Sequence, residues 1–295
     1  MAVVWDTDLV FDPRLKENGE PISLQGLKAR RVVCSTVINA IGGITVGGPE
    51  SGVRWRGQAD ASWRVASRAT RQGLTAADLQ DHERKMINQA RTIGIDNAQH
   101  MSDWEILARL RHNGAVTRLI DITTDPFVAL FMLCDDTLQS EQEECDGVLL
   151  AVNRSELKII DRPWEPDGYA AMTKKKPAAL VYTTPPIDPR IAAQRGEFMF
   201  HSAPLSETDA PECELFPISR PPGWNVTDLR KLLGVDRPNE DRGAPRKHFP
   251  TLIGIRIPAE IKPMLRDLLS RNFGYTRETI YPDWAGLGEQ FGRDS

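Results

Sequence analysis

Hydrophobic and polar positions recur at helical spacing in some stretches of this chain and at strand spacing in others. Trp104, Leu107 and Leu110 share one helical face behind Ser102-Asp103-Trp104-Glu105, where a capping serine is followed three residues on by glutamate. Thr75-Ala76-Ala77-Asp78 opens a second helix that continues through Met86, Ile87 and Ala90. Asp125-Pro126 begins a third, because proline is tolerated in the first turn, and its apolar run from Phe127 to Leu133 predicts burial against a sheet. Pro258 starts a fourth with Ile261, Met264, Leu265, Leu268 and Leu269 on one face, stopped by Gly274. A shorter helix is expected around Val226 to Leu233.

Strand patterns fall at Val3 to Trp5, Gly147 to Val152, Phe198 to Phe200 and Leu252 to Ile257. Gly52 to Gly57 reads as a turn entering a strand, with Val53 and Trp55 alternating against Arg54 and Arg56. Ser23 is a candidate cap, and the apolar stretch Val32, Val33, Val37, Ile38 fits either helix or strand, closed by Gly42-Gly43 and Gly47-Gly48. Residues 153–190, with Pro163, Pro177, Pro185, Pro186 and Pro189, read as a long irregular connection. Helices and strands are interspersed without regular βαβ alternation, which predicts an α+β fold with a mixed, mostly antiparallel central sheet flanked by helices. Residues 1–50 are expected to form an N-terminal extension packed on the core, and residues 51–295 the main domain, with a Pro-rich surface excursion at about 202–250.

Composition narrows the class. The 295 residues are 40% apolar and 26% charged, enough for a substantial core and an ordinary solvated surface. A formal net charge of -4 disfavours broad phosphate neutralisation of nucleic acid, although a local basic cleft is compatible with it. Cys34, Cys134, Cys145 and Cys213 are scattered, without CxxC pairing or histidines at zinc-ligand spacing, so no metal site is expected. The first residues lack the order of a signal peptide, and no apolar run reaches the length of a membrane span, which predicts a cytoplasmic protein without membrane contact.

Three groups concentrate candidate chemistry. In Trp55-Arg56-Gly57-Gln58, an arginine fork at a strand end can meet a phosphate or carboxylate, while glycine permits close backbone approach. The segment Arg111 to Thr123 crowds polar groups among apolar neighbours: His112 can exchange a proton near neutral pH, Thr117 and Thr123 offer hydroxyls, and Arg118 with Asp121 can form a paired charge. In Arg190 to Phe198, Gln194 offers an amide and Glu197 a candidate general base. Tyr281-Pro282-Asp283, after the last helix, reads as a turn docking the carboxyl end. A phosphate-binding glycine loop, a metalloprotease helix motif and a nucleophile elbow are absent from the sequence.

In this order the groups resemble the FRG domain. That family is named for an aromatic-Arg-Gly tripeptide followed by Gln, matched here by Trp55-Arg56-Gly57-Gln58, with Trp63, Ser67 and Arg68 or Arg71 downstream. Its second signature corresponds to His112, Gly114 and Thr117-Arg118-Leu119-Ile120-Asp121-Ile122-Thr123, with Ile122 in place of the usual Trp. The resemblance continues through Asp146-Gly147-Val148, Arg190 to Phe198, and Ile280-Tyr281-Pro282-Asp283 to Gly286-Leu287. The family's neighbours imply a setting in bacterial or phage conflict, as an antiphage effector or toxin.

The order of motifs is also distantly similar to ADP-ribosyltransferases, which implies an ADP-ribosyltransferase-like fold and NAD as the cofactor. On that resemblance Arg56, Gly57, Gln58, Thr117, Arg118, Asp121, Thr123 and Gln194 bind the ligand, and Glu197, Glu278 and His112 are the candidate catalytic residues. Three readings follow. The first is an enzyme that binds NAD or a related nucleotide and transfers or releases ADP-ribose. The second is a non-catalytic module that senses a nucleotide, a nucleic-acid end or a phage protein, since a ligand site does not imply turnover. The third is a nuclease or nucleic-acid-binding effector that uses His112 and the local arginines; the partners implied are a nucleotide-like small molecule and a protein or nucleic-acid target.

Overall fold

Local signals set most element boundaries. The computed structural model describes residues 10–63, 65–135, 144–160, 169, 179–201, 225–233, 249–284 and 286. In chain order these form β1 (Val10–Phe11), α1 (Leu27–Gly47), β2 (Val53–Gln58), α2 (Arg68–Arg71), α3 (Ala76–Ile93), α4 (Asp103–His112), β3 (Ile120–Thr123), α5 (Pro126–Cys134), β4 (Gly147–Asn153) and β5 (Lys158–Ile159). They continue with β6 (Ala179–Tyr182), α6 (Pro189–Ala193), β7 (Gly196–His201), α7 (Val226–Leu233), β8 (Leu252–Ile257), α8 (Lys262–Phe273) and α9 (Arg277–Ile280). Ser102 and Glu105 complete the capping box of α4, Thr75 caps α3, and the Asp125 carboxylate accepts from the first free amides of α5. Gly274 ends α8 in the left-handed conformation, at φ 72°.

The strands form one eight-stranded sheet in the order β1-β8-β4-β2-β3-β7-β6-β5. Its inner pairings are antiparallel, and the parallel pairs β1–β8 and β5–β6 lie at the two edges. The architecture is therefore α+β with a mixed, mostly antiparallel sheet.

Strand alternation divides the buried side chains between the two faces. On the first face, Trp55, Leu149, Ala151, Ile253 and Ile255 pack under α1, α5 and α8. Farther along the same face, Phe198, Phe200, Leu180 and Tyr182 pack around Trp104 of α4. Between these two apolar layers runs β3, whose Asp121 and Thr123 face the same way by register with Phe198 and Trp55. The opposite face carries its own cluster, including Ile120, Ile122, Leu150, Val181 and Met199. The apolar cover of the first face is thus interrupted at β3.

Several elements depart from the sequence expectations. Helix α1 starts after Gly26 rather than at Ser23 and runs through Gly42-Gly43. A Cβ at Gly43 or Gly47 would come within 3.3 Å or 3.2 Å of Leu233, so these glycines make room for α7 instead of ending the helix. Helix α7 falls where expected, but it is anchored: Leu229 is buried in the core under α1. The connection at 153–190 contains β5 and the fully buried β6. Ala179 to Tyr182 is short and apolar throughout, so it offers no alternation by which periodicity could identify a strand. The Val3 to Trp5 strand and most of the expected 202–250 excursion lie outside the described residues.

Candidate functional site

Strands β2 and β3 meet through one residue pair, Trp55 with Thr123. On its other side β2 pairs with β4 along its whole length, from Val53 opposite Asn153 to Gln58 opposite Val148. Beyond Trp55, β2 and β3 therefore part, and the side chain of Arg56 spans the gap by donating from Nη1 to the backbone carbonyl of Asp121 at 2.8 Å. The Arg56 Nε also reaches the side-chain oxygen of Gln58 at 3.4 Å, and the Gln58 amide nitrogen donates to the carbonyl of Trp63 at 3.0 Å. Gln58 thereby ties the arginine to the loop that leads into α2. Gly57 answers a packing demand, since a Cβ there would lie 2.1 Å from the carbonyl oxygen of Ala129 in α5.

The parting opens a cavity of about 80 Å³. Its walls include Arg56, His112, Asp121, Gln194 and Glu197, closed behind by Trp55 and Ile122. Residues of both sheet faces line it, as expected where two strands separate. Enclosing pockets for drug-sized ligands run to roughly 300–1,000 Å³, so this one accommodates a single ring or phosphate group, or one end of a longer molecule.

The electrostatics centre on Asp121. Burial alone would push its carboxyl up, but the charges of Arg111, His112 and Arg56 outweigh it and hold the group below its ordinary value. The Arg111 Nη2 lies 2.5 Å from an Asp121 carboxylate oxygen. Burial lowers the Arg56 guanidinium to about 10, against the opposing pull of Asp121 and with added repulsion from Arg111 and Arg71, which leaves it charged at neutral pH. Burial also lowers His112, outweighing Asp121 and Asp188, so its imidazole is neutral at neutral pH. That ring packs edge-on against Phe198 at 5.3 Å, and its Nε2 is buried with no hydrogen-bond partner among the described residues. Arg111 Nε is in the same state.

The far wall comes from the α6–β7 corner. Thr123 donates its hydroxyl to the carbonyl of Gln194 at 2.7 Å, and the Gln194 amide donates to the carbonyl of Ile280 at 3.1 Å. Arg195, between Gln194 and Gly196, has φ 46°, an uncommon value for a residue with a side chain, and marks local strain beside the cavity. Glu197 lines the cavity, and its carboxylate is gripped by Arg54 at 2.5 Å and by the Thr183 hydroxyl at 3.1 Å. The carboxyl end closes this corner through a bidentate pair between Arg190 and Asp283, at 2.5 and 2.6 Å.

Of the residues singled out from the sequence, Arg56, Gly57, His112, Asp121, Thr123, Gln194 and Glu197 meet at this cavity. Gln58 stands behind it as the link described above. Thr117 is fully buried and its hydroxyl accepts from the Leu119 amide, a local turn contact away from the cavity. Arg118 does form a buried ion pair, but with Glu83 at 2.6 Å rather than with Asp121, and it donates a hydrogen bond to the Tyr169 hydroxyl at 2.7 Å. Alternation explains the switch: Arg118 and Asp121 stand three positions apart across the entry into β3 and point in different directions. Glu278 lies on a second, wider pocket of about 470 Å³ with Tyr281 and Trp284.

Three residues with no assigned role in the sequence matter here: Arg54, Arg71 and Arg111. Arg54 alternates in phase with Arg56, so its place on the same strand face was readable from β2. Arg111 sits one position before His112 in the last turn of α4, where basic residues favour the helix end, and nothing local distinguishes it from an ordinary surface arginine. The thiols of Cys34 and Cys134 are pushed up by burial to about 11 and about 12, which makes them poor nucleophiles. Among the described residues no group of three His, Cys, Asp or Glu side chains is arranged to hold a metal ion. No described helix is long and apolar enough to cross a membrane.

Residues 51–142 match the FRG domain. The match takes in β2 through α5, so Arg56, His112, Asp121 and Thr123 fall inside it, whereas Gln194 and Glu197 reach the cavity from beyond it. No curated protein and no solved structure matches the chain.

Proposed function

We propose that this FRG-domain protein binds NAD or a related nucleotide with one end in the cavity between β2 and β3, and transfers or releases ADP-ribose there. The observation that carries this reading is the convergence of Arg56, His112, Asp121, Gln194 and Glu197 from three segments of the chain on one small cavity. A cavity of about 80 Å³ takes the nicotinamide end, while the phosphates stay toward Arg56.

In the proposed reaction the bond between nicotinamide nitrogen and ribose C1′ breaks, and its electron pair leaves with the nicotinamide. The positive charge that develops at the ribose is stabilised by a fixed carboxylate, for which Glu197 is the candidate; Arg54 and Thr183 hold it in place. Water or an acceptor group adds to C1′ and gives up a proton, and neutral His112, whose Nε2 has no hydrogen-bond partner among the described residues, is the candidate to take it. We place this activity in bacterial or phage conflict on the family resemblance alone.

Incubating the purified protein with NAD and measuring nicotinamide release tests the reading. Release by the native chain is expected, with loss in Glu197→Gln and in Arg56→Ala and with NAD binding retained in Glu197→Gln. No release and no NAD binding by a folded native chain would overturn it.

A second reading, a nucleotide sensor without turnover, is favoured by one specific contact set. Both Glu197 carboxylate oxygens are already engaged, by Arg54 and Thr183, which suits a wall more than a participant. Saturable NAD binding without nicotinamide release is its signature.

A further inference from the structure

Beside the cavity the described residues gather more positive charge than their carboxylates offset. Arg111 pairs with the Asp121 carboxylate and Arg56 with its carbonyl, Arg71 is near enough to feel the charges of Arg111 and Asp121, and Arg68 stands next to Arg71 on α2. Asp121 gives its carboxylate to Arg111, and Arg56 is left with the Asp121 carbonyl and the Gln58 amide. The Arg68 guanidinium is committed to the carbonyl of Gly114 at 2.8 Å. The Arg71 guanidinium makes no hydrogen bond or ion pair with any described residue; it lies over the Trp63 ring, 5.7 Å from its centre.

Such a cluster is costly unless an anion joins it, because like charges repel and partial burial weakens the screening that water provides. The repulsion is felt within the cluster: burial, then Arg111 and Arg68, lower Arg71 against the smaller opposing effect of Asp121. The buried Arg111 Nε has no hydrogen-bond partner among the described residues, which leaves donor capacity within the cluster. The overall charge of the chain is -4, so this excess is local and does not follow from a basic composition.

We propose that Arg71 and Arg111, with Arg56 behind them, form a receptor for a phosphate group or pyrophosphate bearing two negative charges, with Trp63 as the flank that holds Arg71 in place. This deepens the nucleotide reading above and rests on it for the rest of the ligand: the phosphates sit at the cavity edge on Arg71 and Arg111, and Arg56 remains bound to the Asp121 carbonyl. The guanidinium fork suits this ligand, since it offers two parallel donors to two phosphate oxygens.

The test uses the full chain and calorimetric titration with inorganic pyrophosphate, NAD and a short 5′-phosphorylated oligonucleotide, at low and at physiological salt. Pyrophosphate is expected to bind, to weaken as salt rises, and to weaken roughly 10- to 100-fold in Arg71→Gln, the range for loss of a charged hydrogen bond. Arg71→Lys is expected to fall in between, because it keeps the charge and loses the fork. Arg71 is exposed on a short helix, so these variants are expected to fold, and Arg271→Gln, which breaks an exposed pair with Asp267 on α8, serves as the equal-charge control.

Undiminished pyrophosphate binding in Arg71→Gln, or no binding by the native chain, overturns the receptor. If pyrophosphate binds in an Arg71-dependent way and NAD does not bind, the receptor stands and the NAD reading fails. If NAD binds equally to the native chain and to Arg71→Gln, the NAD reading stands and the receptor fails. Arg71-dependent binding of the oligonucleotide in preference to NAD supports the receptor and moves its ligand to a nucleic-acid end.

Discussion

Arg56 donates to the backbone carbonyl of Asp121 at 2.8 Å, while the Asp121 carboxylate is held by Arg111 at 2.5 Å. The arginine of the signature tripeptide is thus bound to the main chain of the neighbouring strand at the place where β2 and β3 lose their pairing. Backbone carbonyls left without a partner at such a parting are unfavourable when shielded from water, and the guanidinium supplies what the missing ladder would have supplied. Arg56 holds the split sheet in shape and lines the cavity that the split creates.

Replacing Gly57 by alanine tests the packing side of the motif. The added Cβ would lie 2.1 Å from the Ala129 carbonyl and 2.9 Å from the Leu133 Cβ, both on α5. Neither strand nor helix can retreat without disturbing the core around Trp55. A loss of roughly 3 kcal/mol or more is expected from urea unfolding, at the upper end of overpacking.

Gln58→Leu keeps the volume and removes both polar links. The Trp63 carbonyl loses its donor, and Arg56 Nε loses its second acceptor. Destabilisation of about 1–3 kcal/mol is expected in urea titrations. Gln58→Glu preserves the acceptor for Arg56 but cannot donate to Trp63, so it is expected to fall between leucine and the native residue.

Arg118→Met separates stability from binding. Glu83 is fully buried and receives the Arg118 amide, the Arg118 guanidinium and the Tyr169 hydroxyl. Removing the guanidinium leaves a buried carboxylate without its countercharge, and roughly 3–5 kcal/mol of stability is expected to go. The folded fraction is expected to bind pyrophosphate as the native chain does, because this ion pair lies away from the cavity.

His112 gives the site an acid-side pH dependence. Burial depresses its pKa against the attraction of Asp121 and Asp188, with Arg190 and Arg111 also opposing protonation. The unfolded chain therefore binds this proton more readily, and stability is expected to fall as pH drops below the ordinary histidine value of about 6.5. Asp121, held below its ordinary value, contributes in the same direction only at still lower pH, below about 3.8. Thermal midpoints measured from pH 7.5 to 5 are expected to fall less steeply in His112→Gln than in the native chain.

The pattern of residues was enough for the helix starts at Ser102, Asp125 and Thr75, because a cap is a contact between neighbours in the chain. The same holds for β2, β4 and β8, whose strand patterns, alternating in β2 and apolar in β4, lie within the segment itself. It was not enough for α1 or β6, where the deciding partners are distant: Leu233 under Gly43 and Gly47, and the strands flanking Ala179 to Tyr182.

The candidate site divides along the same line. Which residues carry polar chemistry among apolar neighbours could be read from the chain, since composition and spacing are properties of sequence. Tertiary structure alone decided that Arg118 pairs with Glu83, that Asp121 pairs with Arg111, and that Glu197 is held by Arg54 across 143 positions. An ion pair forms between charges that the fold brings within a few ångströms, and separation along the backbone carries no information about that distance.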